Sequence, residues 1–209
     1  MQGKALMDGI VAGDIKKTPE LVRALLDAGT GAREIMEKYM IPAMDIVGAK
    51  FAEQEYFVPE VLVSAHAMKA ALVLLEPVLS ASGEKPAGTV VIGTVQGDLH
   101  EIGKNIVSMM LQGAGFRVVN LGVDVPAGDF IAAVREHKAN ILGMSSLLTT
   151  AMRNMQTIVD RLSGEGLRKS TRVLVGGAAI TPDFAKRIGA DFYCADANEA
   201  VRVAKELCV

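Results

Sequence analysis

Tryptophan is absent from this 209-residue chain, and aromatic residues of all kinds make up only 4% of it. Proteins that hold single-stranded nucleic acid stack bases on aromatic rings along a basic groove, so a nucleic-acid role starts without its usual parts. An excess of either charge is missing too: 22 lysines and arginines face 24 aspartates and glutamates, a formal net charge of -2, with no long run of either sign. That balance recommends neither a polyanion nor an anionic membrane surface as partner. Cysteine occurs twice, at Cys194 and Cys208, and never as Cys-x-x-Cys; the expectation is reduced thiols and a cytoplasmic setting. Asp8 and Gly9 interrupt the opening residues before an apolar segment of signal-peptide length can form. No run is expected to reach the roughly 18 apolar residues of a membrane helix.

What is there is a hydrophobic half, 50% of the residues, with two different rhythms. Up to about residue 80 the apolar spacing is helical. Leu21, Val22, Leu25 and Leu26 form one stripe, with Thr18 as the expected N-cap, Pro19 at the first helical position and Gly29 at the end. A third stretch from about Gly31 carries Ile35, Met36, Met40, Met44 and Phe51, and Pro42 is expected to break it in two. A fourth starts at Pro59 and presents Val61, Leu62, Ala65, Met68, Leu72 and Leu75. Helices of this kind predict a small four-helix bundle. Ala81 to Gly88, polar and small, reads as a linker, which sets the expected domains at 1–85 and 86–209.

After the linker, short apolar runs alternate with helical patterns: Thr89 to Thr94, Arg117 to Asn120, Ile141 to Met144, Arg172 to Val175 and Asp191 to Cys194. Five such runs predict an α/β fold, a parallel five-stranded sheet of the flavodoxin-like (Rossmann-like) kind with strand order 2-1-3-4-5. In that order the crevice lies between strands 1 and 3, beyond their carboxyl ends. Gly97-Asp98-Leu99-His100-Glu101-Ile102-Gly103 follows strand 1, Ser145-Ser146-Leu147 ends strand 3 and Gly176-Gly177 ends strand 4. All three therefore gather at one sheet edge, as a ligand site would. Asp98, two residues before His100, has the spacing of a carboxylate that fixes the tautomer of a metal-binding imidazole.

From Gly103 to Ser145 lie 41 residues, and from Leu147 to Gly176 lie 28. Asp-x-His-x-x-Gly, Ser-x-Leu and Gly-Gly at these gaps resemble the cobalamin-binding module of corrinoid proteins that bind the cofactor with a histidine in place of its own benzimidazole. The segment Phe57-Val58-Pro59-Glu60-Val61-Leu62, followed by Ala67-Met68-Lys69, resembles the last helix of the cap that precedes this module in methionine synthase and in corrinoid subunits of anaerobic methyltransferases. The resemblance implies cobalamin or a related corrinoid as cofactor and His100 as lower axial ligand to cobalt, with Asp98 accepting from its other ring nitrogen. It implies Gly97, Gly103, Ser145, Leu147, Thr149, Gly176 and Gly177 as cofactor-binding residues, Ser145 and the two glycines beside the buried base and Leu147 walling it. It also implies Phe51 and Val58 as apolar cover above the corrin.

One position departs from the pattern. In methionine synthase a serine backs the carboxylate six residues beyond the Ser of Ser-x-Leu, and Ala151 stands there here; Thr149, Thr150 or a water is expected to take its place. Met36, Met40 and Met44 read as core, His66 as structural or surface, and Cys194 and Asp196 as neighbours of the tail pocket through backbone alone. The functional expectation is a methyl carrier between a donor-specific and an acceptor methyltransferase of barrel type, served by a reductive activation protein. The alternatives are a cobalamin-dependent sensor or regulatory module and the small subunit of an adenosylcobalamin mutase.

Overall fold

In the computed structural model, which describes residues 2–81 and 86–208, the chain divides into a helical unit and an α/β unit that begins at Ala87. Ser82 to Lys85 of the expected linker lie outside the described residues.

The helical unit contains α1 (Gln2–Val11), α2 (Lys17–Asp27), α3 (Ala32–Ile35), α4 (Ile41–Ala52) and α5 (Val58–Ala81). Pro42 does not break the third stretch. Between α3 and α4 the backbone widens into a π-helical turn, Met36–Met40, and the Ile41 N–H reaches the Met36 carbonyl five residues back. A proline removes an N–H and crowds the preceding turn, and one widened turn accommodates both so that the helix runs on. Nor is Thr18 the cap of α2. The helix starts earlier, at Lys17, whose N–H meets Asp14 Oδ1 at 3.0 Å, while Thr18 is fully buried and its hydroxyl donates to the Asp14 and Ala67 carbonyls. Of the expected apolar positions, Val22, Leu25, Ile35, Met40, Met44, Val61, Ala65, Met68 and Leu75 are buried, while Leu21, Leu26, Met36, Leu62 and Leu72 are only half-buried, at the edges of their stripes. His66 is exposed.

Helix α5 corrects another expectation: Val58–Leu79 is long and apolar enough, by length and composition, to cross a membrane. Its small buried residues Ser64, Ala65, Ala67 and Ala71 let it pack closely against α1, α2 and α4, and the core helix of a bundle passes the same compositional test as a membrane span.

The α/β unit is a five-stranded parallel sheet in the order β2-β1-β3-β4-β5: β1 (Thr89–Thr94), β2 (Arg117–Asn120), β3 (Ile141–Ser145), β4 (Arg172–Gly176) and β5 (Phe192–Cys194). The connecting helices are α6 (Ile102–Gly113), α7 (Ala127–His137), α8 (Met152–Gly164) and α9 (Pro182–Arg187), and α10 (Ala197–Cys208) closes the unit. Central strands covered on both faces need continuous apolar runs, and Val90 to Thr94 and Ile141 to Met144 are buried without interruption. Val91, Leu142, Met144, Val173 and Val175 share one core with Phe130 and Val134 of α7 and Met155, Ile158 and Leu162 of α8. Each such large side chain contributes about 1.5–3 kcal/mol by leaving water. The register aligns Thr94, Ser145, Gly176 and Cys194 side by side across four strands. The three motif loops therefore leave the sheet at one level.

Candidate functional site

Strand β1 ends at Thr94, and a turn at Gln96–Gly97 throws the chain across the sheet edge. Gly97 sits at φ +90°, in the left-handed region, and its N–H donates to Asp124 Oδ1 at 2.7 Å. Asp124, itself at φ +53°, donates its own N–H to the Asp98 carbonyl at 3.0 Å. Thr94 Oγ1 donates to the His100 carbonyl at 2.8 Å from below. The loop that carries His100 is thus tied at Gly97, Asp98 and His100 before α6 begins at Ile102.

The Asp98 side chain is fully buried and collects five donors. On Oδ1 it accepts from the His100 backbone N–H at 2.9 Å and faces His100 Nδ1 at 2.6 Å. On Oδ2 it accepts from Leu147 N at 2.6 Å, Ser146 Oγ at 2.9 Å and Leu148 N at 3.3 Å. Burial is the largest single influence on this carboxyl and would raise its pKa, but the donors from His100, Leu147 and Ser146 outweigh it and hold the group well below the usual carboxylate range. An ionised carboxylate only accepts. Nδ1 of His100 therefore carries a proton, and Nε2 makes no hydrogen bond among the described residues. The imidazole is half exposed, 53% of its side chain open to solvent.

Around it the surface is apolar and open: Leu99 and Ile102 are 71% and 70% exposed, and Leu147 and Leu148 also face solvent. At Gly103, in the first turn of α6, a Cβ would meet nothing within 4 Å. A flat apolar macrocycle with an open coordination position on its lower side fits these features: an orienting carboxylate, a free imidazole nitrogen and an apolar floor. Among the described residues no three His, Cys, Asp or Glu stand together as a metal cluster.

Ser145 is half-buried at the end of β3, and its hydroxyl has no partner among the described residues. The glycines at the end of β4 have causes within the chain. A Cβ on Gly177, at φ +118°, would lie 2.2 Å from the Ser146 carbonyl oxygen, and one on Gly176 would lie 2.8 Å from the Cys194 carbonyl oxygen. Each glycine is demanded by close backbone approach. Neither threonine expected to stand in for the missing hydroxyl at Ala151 does so: Thr149 and Thr150 are exposed, and the hydroxyl at Asp98 is that of Ser146. Sequence reasoning passed over Ser146 as the variable residue of Ser-x-Leu, although a second serine in the motif was the available signal. Thr94 and Asp124 carried no such mark. Phe51 and Val58, each half-buried, belong to α4 and α5 of the helical unit.

Residues 88–204 match the family described as B12 binding domain, and residues 3–76 match a second family of the same description. The chain belongs to the B12-binding corrinoid proteins. Its cofactor is cobalamin or a related corrinoid, and its place is among the corrinoid proteins of methyltransferase systems. It is 47% identical over 174 residues to dimethylamine corrinoid protein 3 of Methanosarcina acetivorans, covering 83% of this chain and 82% of that one. It is 41% identical over 200 residues to the trimethylamine corrinoid protein of Methanosarcina barkeri, covering 95% and 92%. Among solved structures, the methanol:cobalamin methyltransferase complex MtaBC of Methanosarcina barkeri superposes with a TM-score of 0.88 at 30% identity, covering 97% of this chain and 78% of that one.

Proposed function

We propose that this corrinoid protein is a methyl carrier that binds its cofactor with the cofactor's own base displaced and His100 as the lower axial ligand, and that it passes the methyl group from a donor methyltransferase to an acceptor methyltransferase. The observation that carries the reading is His100: proton fixed on Nδ1 by a buried carboxylate at 2.6 Å, Nε2 free, on an open apolar face. The corrinoid supplies the nucleophile and the bond that holds the methyl group. The chain's residues orient: Asp98 holds the imidazole, the ties at Thr94 and Asp124 hold its loop, and the free Ser145 hydroxyl with Gly176 and Gly177 sits at the crevice that would take the displaced base. Gly97, Gly103, Leu147 and Thr149 complete the cradle in this reading, and residues 1–85 serve as a cap in which Phe51 and Val58 cover the reacting group.

Partners of barrel type and a reductive activation protein belong to the same proposal. The two curated relatives named above are a dimethylamine and a trimethylamine corrinoid protein, at higher identity than the methanol complex, which favours a methylated amine over methanol as the donor's substrate and favours a carrier over a sensor or a mutase subunit. The test is electron paramagnetic resonance of the Co(II) holoprotein. Superhyperfine splitting from one nitrogen, altered by isotopic labelling of histidine and absent in His100→Ala, is expected. Splitting indifferent to the label would defeat the axial assignment.

A further inference from the structure

Lys104 sits where a cation is unfavourable on three counts. It lies in the first turn of α6, where the backbone N–H groups already make the helix end positive and no acidic residue offsets them. It is buried, 3% exposed, and burial pushes its pKa below the ordinary 10.5. No carboxylate among the described residues forms an ion pair with it. Glu101 attracts it only at a distance, while its Nζ donates to two neutral oxygens, Asn105 Oδ1 at 2.7 Å and Asn120 Oδ1 at 2.8 Å. An ammonium cannot accept a hydrogen bond, so both amide oxygens face it. Asn105 Oδ1 also accepts from Asn120 Nδ2 at 3.1 Å, and Asn120 Oδ1 accepts from the Gly122 N–H at 3.0 Å. Asn105 Nδ2 has no partner among the described residues. The cluster supplies hydrogen bonds to the lysine without cancelling its charge, although buried charges are ordinarily paired and an aspartate of the same shape at either asparagine would pair this one.

The cluster borders the His100 loop. Asn120 ends β2, which pairs with β1 on the side away from β3, so it stands on the sheet edge that carries His100 but across β1 from Ser145 and Gly176. Gly122, the donor to Asn120, accepts the Thr94 N–H at 3.0 Å. Lys104 follows His100 by four residues, a stretch that spans at most about 14 Å. We propose that Lys104 sets the reduction potential of the bound corrinoid through its charge: the ammonium, held but not neutralised by Asn105 and Asn120, favours the addition of an electron to cobalt. The step is Co(II) plus one electron from the reductive activation partner giving Co(I), and no bond to Lys104 forms or breaks. The cobalt centre loses one unit of positive charge in that step, and a fixed cation nearby repels the oxidised centre more than the reduced one. The inference rests on a corrinoid seated over His100, and its test is arranged to fail separately from that reading.

Asn105→Asp tests the charge without changing the shape. Its Oδ1 keeps both hydrogen bonds, its second oxygen replaces an amide nitrogen that has no partner among the described residues, and the ammonium gains a counter-charge. Spectroelectrochemical titration of the corrinoid-loaded protein should find the Co(II)/Co(I) midpoint at more negative potential. The equilibrium at fixed potential should move about threefold to tenfold toward Co(II), the effect of one charge about 10–20 Å away at an effective dielectric constant of about 20; tenfold is about 59 mV for one electron. Lys104→Met, which removes the charge together with its hydrogen bonds, should move the midpoint the same way. Asn140→Asp is the control: Asn140 precedes β3 at the opposite edge of the sheet, where its Oδ1 accepts the Thr89 N–H, and its added charge should have less than half the effect. A lysine that merely ties α6 to β2 predicts another pattern, with Asn105→Asp leaving the midpoint unmoved. An unmoved or more positive midpoint in Asn105→Asp, or an equal shift in Asn140→Asp, would overturn the proposal. Paramagnetic resonance on the same histidine-labelled samples keeps the two readings apart. Splitting present throughout with an unmoved midpoint defeats the role of Lys104 alone; splitting absent from the wild type defeats the axial assignment, and the midpoints of the three variants still decide the role of Lys104.

Discussion

Alanine substitutions at Gly103 and Gly177 should have opposite effects on stability, because the two glycines have different causes. At Gly177 the backbone sits at φ +118°, and a Cβ would lie 2.2 Å from the Ser146 carbonyl oxygen and 2.8 Å from its carbon, neither of which can rotate away. Holding a non-glycine residue in such a conformation costs about 1–3 kcal/mol, and forcing a methyl group into a packed contact costs a further ~1–3 kcal/mol. A loss of about 2–6 kcal/mol is therefore expected, against a total of roughly 5–15 kcal/mol for a domain. At Gly103 nothing lies within 4 Å of the added Cβ, and the position is in the first turn of α6. Alanine there should stabilise the corrinoid-free chain by about 0.4–1 kcal/mol, by restricting the unfolded state and favouring helix. If Gly103 lies beneath the corrin, the same methyl group should weaken cofactor binding by about tenfold or more, the equivalent of ~1.4 kcal/mol. Urea unfolding with an unchanged slope measures the first pair of effects, and spectrophotometric titration with corrinoid measures the last. A Gly177→Ala protein as stable as wild type would refute the packing argument. A Gly103→Ala protein that binds corrinoid normally would remove Gly103 from the site.

Asp98→Asn should cut methyl transfer by about tenfold to a hundredfold, the range for losing the carboxylate behind a metal-bound histidine, measured in a coupled assay with donor and acceptor enzymes. Because the folded-state pKa of Asp98 is lowered, its ionised form contributes stability that is fully present above the ordinary carboxylate pKa of about 4 and lost as pH falls below it; acid titration of unfolding should be flatter in the asparagine variant. Burial pushes the Cys194 thiol up to about 12 from 9.0, so its alkylation at pH 8 should run about a thousandfold slower in the native protein than in the unfolded chain, followed by mass spectrometry. Reduced to Co(I), the holoprotein alone should accept a methyl group from methyl iodide but not from a methylated amine until a cognate methyltransferase is added; methylation by the amine without that enzyme would contradict the carrier reading.

The sequence by itself determined what local pattern and spacing can carry. Helical apolar spacing marked the helical half and short continuous apolar runs marked all five strands to within a residue, and motif position put Asp98, His100, Ser145, Gly176 and Gly177 on one sheet edge, because a parallel sheet sends every strand's carboxyl end the same way. It did not determine the course of the chain at Pro42, since whether a proline breaks a helix depends on whether the previous turn can widen, and Met36–Met40 does widen. Only tertiary structure decided what surrounds Asp98. The five donors come from two loops separated by almost fifty residues, and Ser146 reaches the carboxylate because β1 and β3 are neighbours in register, Thr94 against Ser145. The cause of Gly177 was hidden for the same reason: the oxygen that forbids a side chain belongs to Ser146 on the next strand's loop, and nothing in the order of residues along the chain announces a contact made across it.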